Sequence, residues 1–197
     1  MIARTSAPKI IVALAISAGC ALVDCPGSQG STVFDELVPR PSKVEAAATG
    51  ETALARVSAL GNVTVVREEV PGAPSATANE SYTLEIRPDG ARISAPTEEG
   101  ERWARVTLDQ LMRLSRDGRI PCCRIVDWPR LKWRGCMLDT VRTSLPVQGV
   151  KDVIDVMSRY KLNLFHWHLT ENYAWRLESK RFPELQSERA FLHRHKG

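Results

Sequence analysis

Two groups of polar side chains, each placed beside an apolar segment, could do carbohydrate chemistry in this sequence. Asp139 and Arg142 close the first segment, and His168 and Glu171 close the second, with Trp175 shortly after. Carboxylates and arginine side chains exchange hydrogen bonds with sugar hydroxyls, and an indole ring packs against the apolar face of a pyranose. The residue types therefore indicate a polar pocket that could hold a sugar.

The elements that must position these side chains form a strand–helix–strand unit. Apolar strands are predicted over 134–141 (RGCMLDTV) and 162–169 (LNLFHWHL), and apolar residues at three- and four-residue intervals predict a helix over 146–160. Such a βαβ unit implies a parallel sheet, whose strands end at one edge. Because function sits at that edge in parallel α/β barrels, both polar groups are expected to line one pocket. A further helix is predicted over 182–194, beginning near Pro183.

Each of these side chains also has a purely structural interpretation. Arg142 could simply pair with Asp139, three residues earlier, as a clamp, and Glu171 could be a solvated loop residue. His166 and His168 alternate along the strand and so point to the same side, where they could form a metal pair. No third ligand is evident, and hydrogen-bonded histidines inside a barrel are favoured instead. The two histidines therefore do not indicate a metal site.

Residues 54–132, which precede this unit, predict a small α+β domain. Its predicted elements are strands over 63–70, 81–87, 91–95 and around 124–127, and a helix from Thr97 to Leu114. The turn Pro88-Asp89-Gly90 makes a hairpin of the second and third strands, since proline fixes φ and glycine accepts positive φ. Thr97 can cap the helix, whose first turn is acidic and suits the helix dipole.

The first 53 residues predict a signal peptide and a linker. An uninterrupted apolar run over 10–18 follows basic residues; it is too short to cross a bilayer as a helix and fits residues 1–25 as a signal peptide. A buried strand or helix is the alternative, and a lipid anchor at Cys20 is a minor one. Residues 26–53 are rich in Pro, Gly, Ser and Ala and predict a linker. The protein is therefore expected to be secreted, periplasmic or lumenal, with no stable membrane span.

Charge and cysteine content argue against two classes of protein. The net charge is +4, from 27 basic and 23 acidic side chains. The basic residues are scattered, whereas nucleic-acid-binding proteins usually cluster them on one face, so no nucleic-acid partner is expected. The five cysteines have no spacing typical of a zinc site. Adjacent Cys122 and Cys123 would strain a disulfide between them; one of them could reach Cys136, but free, buried cysteines are the favoured interpretation.

Residues 133–185 resemble the opening of the catalytic barrel of family 20 glycoside hydrolases, the β-N-acetylhexosaminidases. They carry the pattern RG-x-x-LD-x-x-R, a helix starting at proline, and then KLN-x-FHWHL, an acidic residue and WR. Upstream, VPRPSKVE, the Pro-Asp-Gly turn, TLDQL and RIPCCRIVDWPR resemble the small non-catalytic domain before that barrel. The likeness covers about residues 37–192. It implies an α+β domain, an antiparallel sheet with a helix, followed over 133–197 by the first βαβ portion of a (β/α)8 TIM barrel.

The resemblance also implies an activity and residue roles. Family 20 enzymes remove terminal, non-reducing N-acetylhexosamine from glycans with retention, and the nucleophile is the substrate's own 2-acetamido oxygen. An Asp of a later GDE-like motif orients that amide, and the adjacent Glu protonates the leaving oxygen, so the resemblance implies no cofactor. Arg142 matches the arginine that binds hydroxyls of the terminal sugar, with Asp139 and His168 in supporting positions. Glu171 matches an acidic position, usually Asp, that supports the catalytic carboxylates through a later histidine.

This sequence departs from the family pattern at several points. No GDE-like motif occurs, since Asp35–Glu36 belongs to the linker. The chain is therefore expected to lack the catalytic pair, to be inactive alone and to be only partly folded over 134–197. Thr143 stands where histidine is usual, Glu171 is one methylene longer than the usual Asp, and Asn172 replaces a second acid; such shifts alter rate or specificity. A non-catalytic carbohydrate-binding or interaction protein is the alternative, and the sequence implies no particular oligomeric state.

Overall fold

The described residues all belong to one compact unit that begins at Thr32. The computed structural model describes residues 32–46, 62–115, 118–172 and 174–187, together with the backbone of 54–56. The predicted signal peptide and parts of the predicted linker lie outside the described residues. Among the described helices, none is both long enough and apolar enough to cross a membrane.

A five-stranded sheet forms the first part of this unit. Its strands are β1 (Lys43–Ala46), β3 (Val63–Arg67), β4 (Tyr82–Arg87), β5 (Gly90–Ala95) and β7 (Cys123–Asp127). They lie in the order β1-β7-β4-β5-β3, and all neighbours are antiparallel except β3 and β5. The sheet, predicted to be antiparallel, is therefore mixed, because β3 adds to the edge of the hairpin in the same direction as β5. A separate two-stranded sheet pairs β2 (Leu54–Arg56) with β6 (Arg119–Pro121). The predicted hairpin is confirmed, because β4 and β5 pair antiparallel across the Pro-Asp turn.

The edges of this sheet differ from the sequence expectations. Strand β3 ends at Arg67, before the predicted end of the strand at 70, because its partner strand, β5, ends opposite it at Ala95. Strand β1 lies within the segment predicted to be a linker, and Val33–Glu36 of that segment form a 3-10 helix. Phe34 and Leu37 are buried against the sheet core, which is why this segment is held to the domain.

Helix α1 (Glu98–Leu114) packs against strands β4 and β5. Thr97 caps it as predicted, since its hydroxyl accepts a hydrogen bond from the Gly100 N–H at 3.3 Å. Gly100 is needed for close approach as well, because a Cβ there would collide with the Ser81 carbonyl oxygen. The core between this helix and the sheet contains the buried residues Tyr82, Leu84, Ile86, Ala91, Ile93, Ala95, Trp103, Ala104, Leu108, Leu111 and Ile125.

The predicted βαβ unit is confirmed. Strands β8 (Gly135–Asp139) and β9 (Leu164–His168) pair in parallel, and helix α2 (Val147–Arg159) connects them. The last residues of the two strands lie opposite each other in this register, so the strands end side by side. The chain then makes a short hairpin from β10 (Thr170–Glu171) and β11 (Ala174–Trp175).

The helix predicted over 182–194 is wrong within the described residues. A single 3-10 turn, Pro183–Gln186, forms there, and Ser187 then adopts an extended backbone with a ψ of 155°. Proline at the first position favours a helix start, but no side chain caps this one at Phe182. An uncapped start does not overcome the cost of nucleating a longer helix.

Candidate functional site

Strand β8 ends in a tight turn that the Asp139 carboxylate organises. Its Oδ1 accepts hydrogen bonds from the backbone N–H groups of Val141 at 2.9 Å and Arg142 at 3.1 Å. Its Oδ2 accepts from Nη1 of Arg142 at 2.5 Å. Aspartate commonly bonds to its own backbone in this way, and here it fixes both the main chain and the side chain of Arg142. The clamp considered between the two residues is therefore present.

The Arg142 guanidinium also joins the ends of the two parallel strands. Its Nη2 lies 2.7 Å from Oε1 of Glu171, a residue of β10. The interpretation of Glu171 as a solvated loop residue is wrong, because it pairs with Ala174 in the hairpin and only 24% of its side chain is exposed. Arg142 keeps 54% of its side chain exposed. A cation held at two nitrogens and open to solvent can bind acceptor groups of a ligand.

His168 borders the same cluster. Its Nδ1 is 3.7 Å from Oδ2 of Asp139, and its Nε2 is 3.0 Å from the Thr170 carbonyl oxygen. Because a carbonyl oxygen only accepts, Nε2 carries the hydrogen of that bond. The Thr140 N–H donates to the His168 carbonyl at 3.2 Å, and Nε1 of Trp167 donates to the Thr140 hydroxyl at 2.9 Å. Trp167 was not among the predicted site residues, but this hydrogen bond from its indole holds the turn after β8.

Three side chains of metal-ligating type converge here. Asp139, His168 and Glu171 each offer one ligand atom, and these atoms lie within 4.8 Å of one another. His166, considered above as the partner of His168, does not belong to this group in the described part of the chain. The Arg142 guanidinium already bridges the two carboxylates. A metal ion would have to displace it, so the arrangement gives no metal role to these residues.

Hydrogen bonding favours the charged forms of Asp139 and Arg142. The backbone N–H of Arg142, assisted by that of Val141 and by the Arg142 side chain, lowers the pKa of the Asp139 carboxyl. The hydrogen bond to Asp139 and the nearby Glu171 charge raise the pKa of Arg142, although burial opposes this shift. Both directions favour the ionised forms. At neutral pH the site therefore presents the Arg142 guanidinium cation held in place by the Asp139 carboxylate.

The hairpin after β9 adds a residue that the sequence analysis missed. Arg176 donates from Nη2 to the Val141 carbonyl at 3.2 Å and from its backbone N–H to the Leu169 carbonyl at 2.9 Å. It thereby ties the turn after β8 to the hairpin. The WR ending of the family pattern was the signal that could have identified it. Trp175, predicted to pack on a sugar, lies opposite Thr170 in the hairpin and is 36% exposed.

Two family models match this chain, and together they cover both of its parts. The model described as glycosyl hydrolase family 20, catalytic domain, matches residues 131–196. The model described as glycosyl hydrolase family 20, domain 2, matches residues 37–128. The first range contains Asp139, Arg142, His168 and Glu171, and the second contains the five-stranded sheet.

Individual relatives agree with this assignment. A beta-hexosaminidase of Akkermansia muciniphila is 32% identical over 176 residues, which is 88% of this chain and 33% of that protein. A crystal structure of a beta-N-acetylhexosaminidase matches with a TM-score of 0.63 and 34% identity, covering 79% of this chain and 30% of that one. A GH20 exo beta-N-acetylglucosaminidase from Vibrio harveyi, in complex with N-acetylglucosamine, gives a TM-score of 0.61 and 27% identity over 76% and 28%. The chain spans about a third or less of the length of each.

Proposed function

We propose that this chain, which belongs to glycosyl hydrolase family 20, supplies the sugar-binding arginine of a β-N-acetylhexosaminidase. The reaction is the removal of terminal, non-reducing N-acetylhexosamine from glycans. The observation that carries the proposal is the Arg142 guanidinium, which is half exposed at the carboxyl ends of two parallel strands and is fixed by Asp139 and Glu171. In a (β/α)8 barrel, substrate binds at that edge.

Each residue of the cluster has a distinct role in this proposal. Arg142 donates hydrogen bonds to sugar hydroxyls, which accept readily from a guanidinium. Asp139 is a positioning residue, because it holds the Arg142 side chain and turn together. Preorganisation of this kind lowers the entropic cost of binding a ligand. His168, through its contacts with Asp139 and Thr170, keeps the end of β9 in register with that turn.

Glu171 links the arginine to the rest of a catalytic site. Its Oε1 contacts Arg142, whereas its Oε2 is buried and has no hydrogen-bond partner in the described part of the chain. Buried carboxylate oxygens normally accept a hydrogen bond. The later histidine implied by the family pattern is a donor of the right kind. The extra methylene of Glu171, compared with the usual Asp, serves in this proposal to reach Arg142 directly.

In this proposal, none of the residues of this chain cleaves the sugar. Substrate-assisted hydrolysis needs an Asp that orients the 2-acetamido group and a Glu that protonates the leaving oxygen. The adjacent pair in this sequence, Asp35–Glu36, lies in the 3-10 helix before β1, where Asp35 bonds to Thr32 and Arg40. Asp35 therefore has a structural role in the 3-10 helix, which packs beside helix α1. The chain alone is therefore expected to hold a sugar without cleaving it.

A titration followed by NMR tests the binding step. N-acetylglucosamine is added to the 15N-labelled chain, to Arg142→Ala and to Arg102→Ala, which removes an exposed arginine of α1 as a matched control. The sugar is expected to shift the signals of the turn after β8 and of the β10–β11 hairpin in the unchanged chain and in Arg102→Ala. Loss of these shifts in Arg142→Ala supports the role. Equal shifts in all three proteins, or none in the unchanged chain, would refute it.

A carbohydrate-binding protein without hydrolytic activity is the second candidate. It rests on the same observation, because the exposed Arg142 guanidinium could bind a sugar whether or not cleavage follows. The two candidates differ in whether the gene encodes a GDE-like motif after Gly197, which sequencing of the complete transcript decides. In either case we propose export directed by residues 1–25. Amino-terminal sequencing of the mature protein tests this, and an intact Met1 in the exported product would contradict it.

A further inference from the structure

A buried polar network joins two parts of the molecule. The first, called the sheet domain, is the five-stranded sheet with helix α1, and the second is the βαβ unit of β8, α2 and β9. Lys161, in the connection between α2 and β9, places its Nζ 2.8 Å from the Tyr82 hydroxyl and 3.1 Å from Oδ2 of Asp127. The Lys161 and Asp127 side chains are only 7% and 8% exposed. Lysine is almost never buried to this extent unless it is paired. Here the partners come from strands β4 and β7, so the pair crosses the boundary between the two parts of the molecule.

Every group of this network is hydrogen-bonded. The Tyr82 hydroxyl lies 2.9 Å from Oδ2 of Asp127 and 2.6 Å from the Thr107 hydroxyl. The N–H and the hydroxyl of Ser42 donate to Oδ1 of Asp127 at 3.0 and 3.1 Å. Burial lowers the pKa of the Lys161 ammonium, and the Asp127 carboxylate opposes that shift. A buried network in which each member has a hydrogen-bond partner stabilises one arrangement of its members over others.

The main chain at Lys161 ties the beginnings of both parallel strands together. Lys161 has a φ of 59°, which is uncommon for a residue other than glycine, and its carbonyl accepts from Nε of Arg134 at 2.7 Å. Arg134 directly precedes β8. Its carbonyl accepts from the Asn163 N–H at 2.9 Å, and its own N–H donates to Oδ1 of Asn163 at 3.0 Å. Arg134 is also ion-paired with Glu80 of the sheet domain.

We propose that Lys161 is a positioning residue, which sets the register of the two strands whose far ends carry Arg142 and Glu171. Strands β8 and β9 are paired over their whole length, and register along paired strands changes only in whole-residue steps. A residue that fixes where both strands begin therefore fixes which side chains meet at their ends. The purpose of this device rests on the proposed function, but its structural effect can be measured without any sugar.

The test removes the buried ion pair without leaving a lone buried charge. Lys161→Met and Asp127→Asn are made together, because the new amide oxygen can still accept from Ser42 and no uncompensated ion remains. The readout is the NMR signal of the Arg142 guanidinium N–H groups, which are held by ion pairs in the unchanged chain. Lys151→Met, which changes an exposed lysine of α2 in the same way, is the matched control.

The double variant is expected to keep the amide signals of β4 and β7 while the Arg142 guanidinium signals move to those of unpaired arginine, with exchange at least tenfold faster. Lys151→Met should leave them unchanged. Retention of the native Arg142 signals in the double variant would overturn the proposal, because the strands would then keep their register without the ion pair of Lys161 and Asp127. Unfolding of the sheet domain would overturn it too, because the pair would then serve global stability. A chain that binds no N-acetylglucosamine contradicts the proposed function and leaves this comparison intact.

Discussion

The sheet domain and the βαβ unit differ in how completely they bury their apolar side chains. In the sheet domain, Leu84 and Ile93 are fully buried. On the paired strands of the βαβ unit, Met137 and Leu164 are 54% and 48% exposed, and Val147 of α2 is 72% exposed. Parallel sheets normally have both faces covered. We infer that the sheet domain supplies most of the stability of this chain, whereas the βαβ unit supplies its candidate site.

Truncation of one apolar side chain in each region is the strongest test of whether the sheet domain supplies the stability. Leu84→Ala should lower the free energy of unfolding by about 2–5 kcal/mol, because it leaves a cavity in a closed core. Met137→Ala should change it by less than about 0.5 kcal/mol, because the side chain is already half in water. Urea denaturation followed by circular dichroism measures both. Equal losses in the two variants would show that the βαβ unit shares the core, contrary to this division.

A change at the site should affect binding far more than stability. In Asp139→Asn, the amide oxygen can still accept from the turn, but the charge that holds the Arg142 side chain is lost. We expect N-acetylglucosamine to bind roughly tenfold more weakly, which corresponds to ~1.4 kcal/mol, while the urea midpoint barely moves. The control is Asp155→Asn, on an exposed position of α2. A large fall in stability with unchanged binding would reverse the roles assigned to the two regions.

The stability of the sheet domain should depend on pH through the buried thiol of Cys123. Burial raises the pKa of the Cys123 thiol to about 12, whereas the unfolded chain ionises this group near pH ~8.5. Between these values the unfolded state releases a proton that the folded state keeps, so stability falls as pH rises. The loss should be about 2 kcal/mol by pH ~10, because that pH lies about 1.5 units above the unfolded pKa and each unit corresponds to about 1.4 kcal/mol.

Comparison with a variant isolates this single group. The destabilisation caused by Cys123→Ala should shrink as the pH rises from about 8 to about 10, because only the unchanged chain loses the thiol contribution. Ile125→Val, a change in the same strand without a titrating group, should cost the same at each pH. A Cys123→Ala effect that stays constant over this range would contradict the raised pKa.

The parts of the fold that follow a local period could be predicted from the sequence. The hairpin, α1 and the βαβ unit each show a two-residue or helical spacing together with a turn or cap residue. The contact between Arg142 and Asp139 was also accessible, because the two are three residues apart. The place of Glu171 in the same cluster could be predicted as well, because it follows the strand that neighbours the one before Arg142.

Other features could not be read in this way. The pair of Lys161 and Asp127 joins residues 34 positions apart in different parts of the fold, and neither residue lies in a pattern that indicates burial. Strand β1 lies between prolines and a segment rich in alanine, so its pairing with β7 has no local signal. The predicted helix over 182–194 rested on a proline start alone, and a favourable first residue does not decide how far a helix continues.

Incubation of the purified chain with a chromogenic N-acetyl-β-glucosaminide, beside Arg142→Ala, tests the central claim most directly. The claim is that this chain holds the sugar and does not contain the acid that cleaves it. The expected result is no release of the chromophore by either protein, while the substrate shifts the Arg142 signals of the unchanged chain. Release by the unchanged chain that disappears in Arg142→Ala would contradict the claim, because a general acid would then lie within these 197 residues.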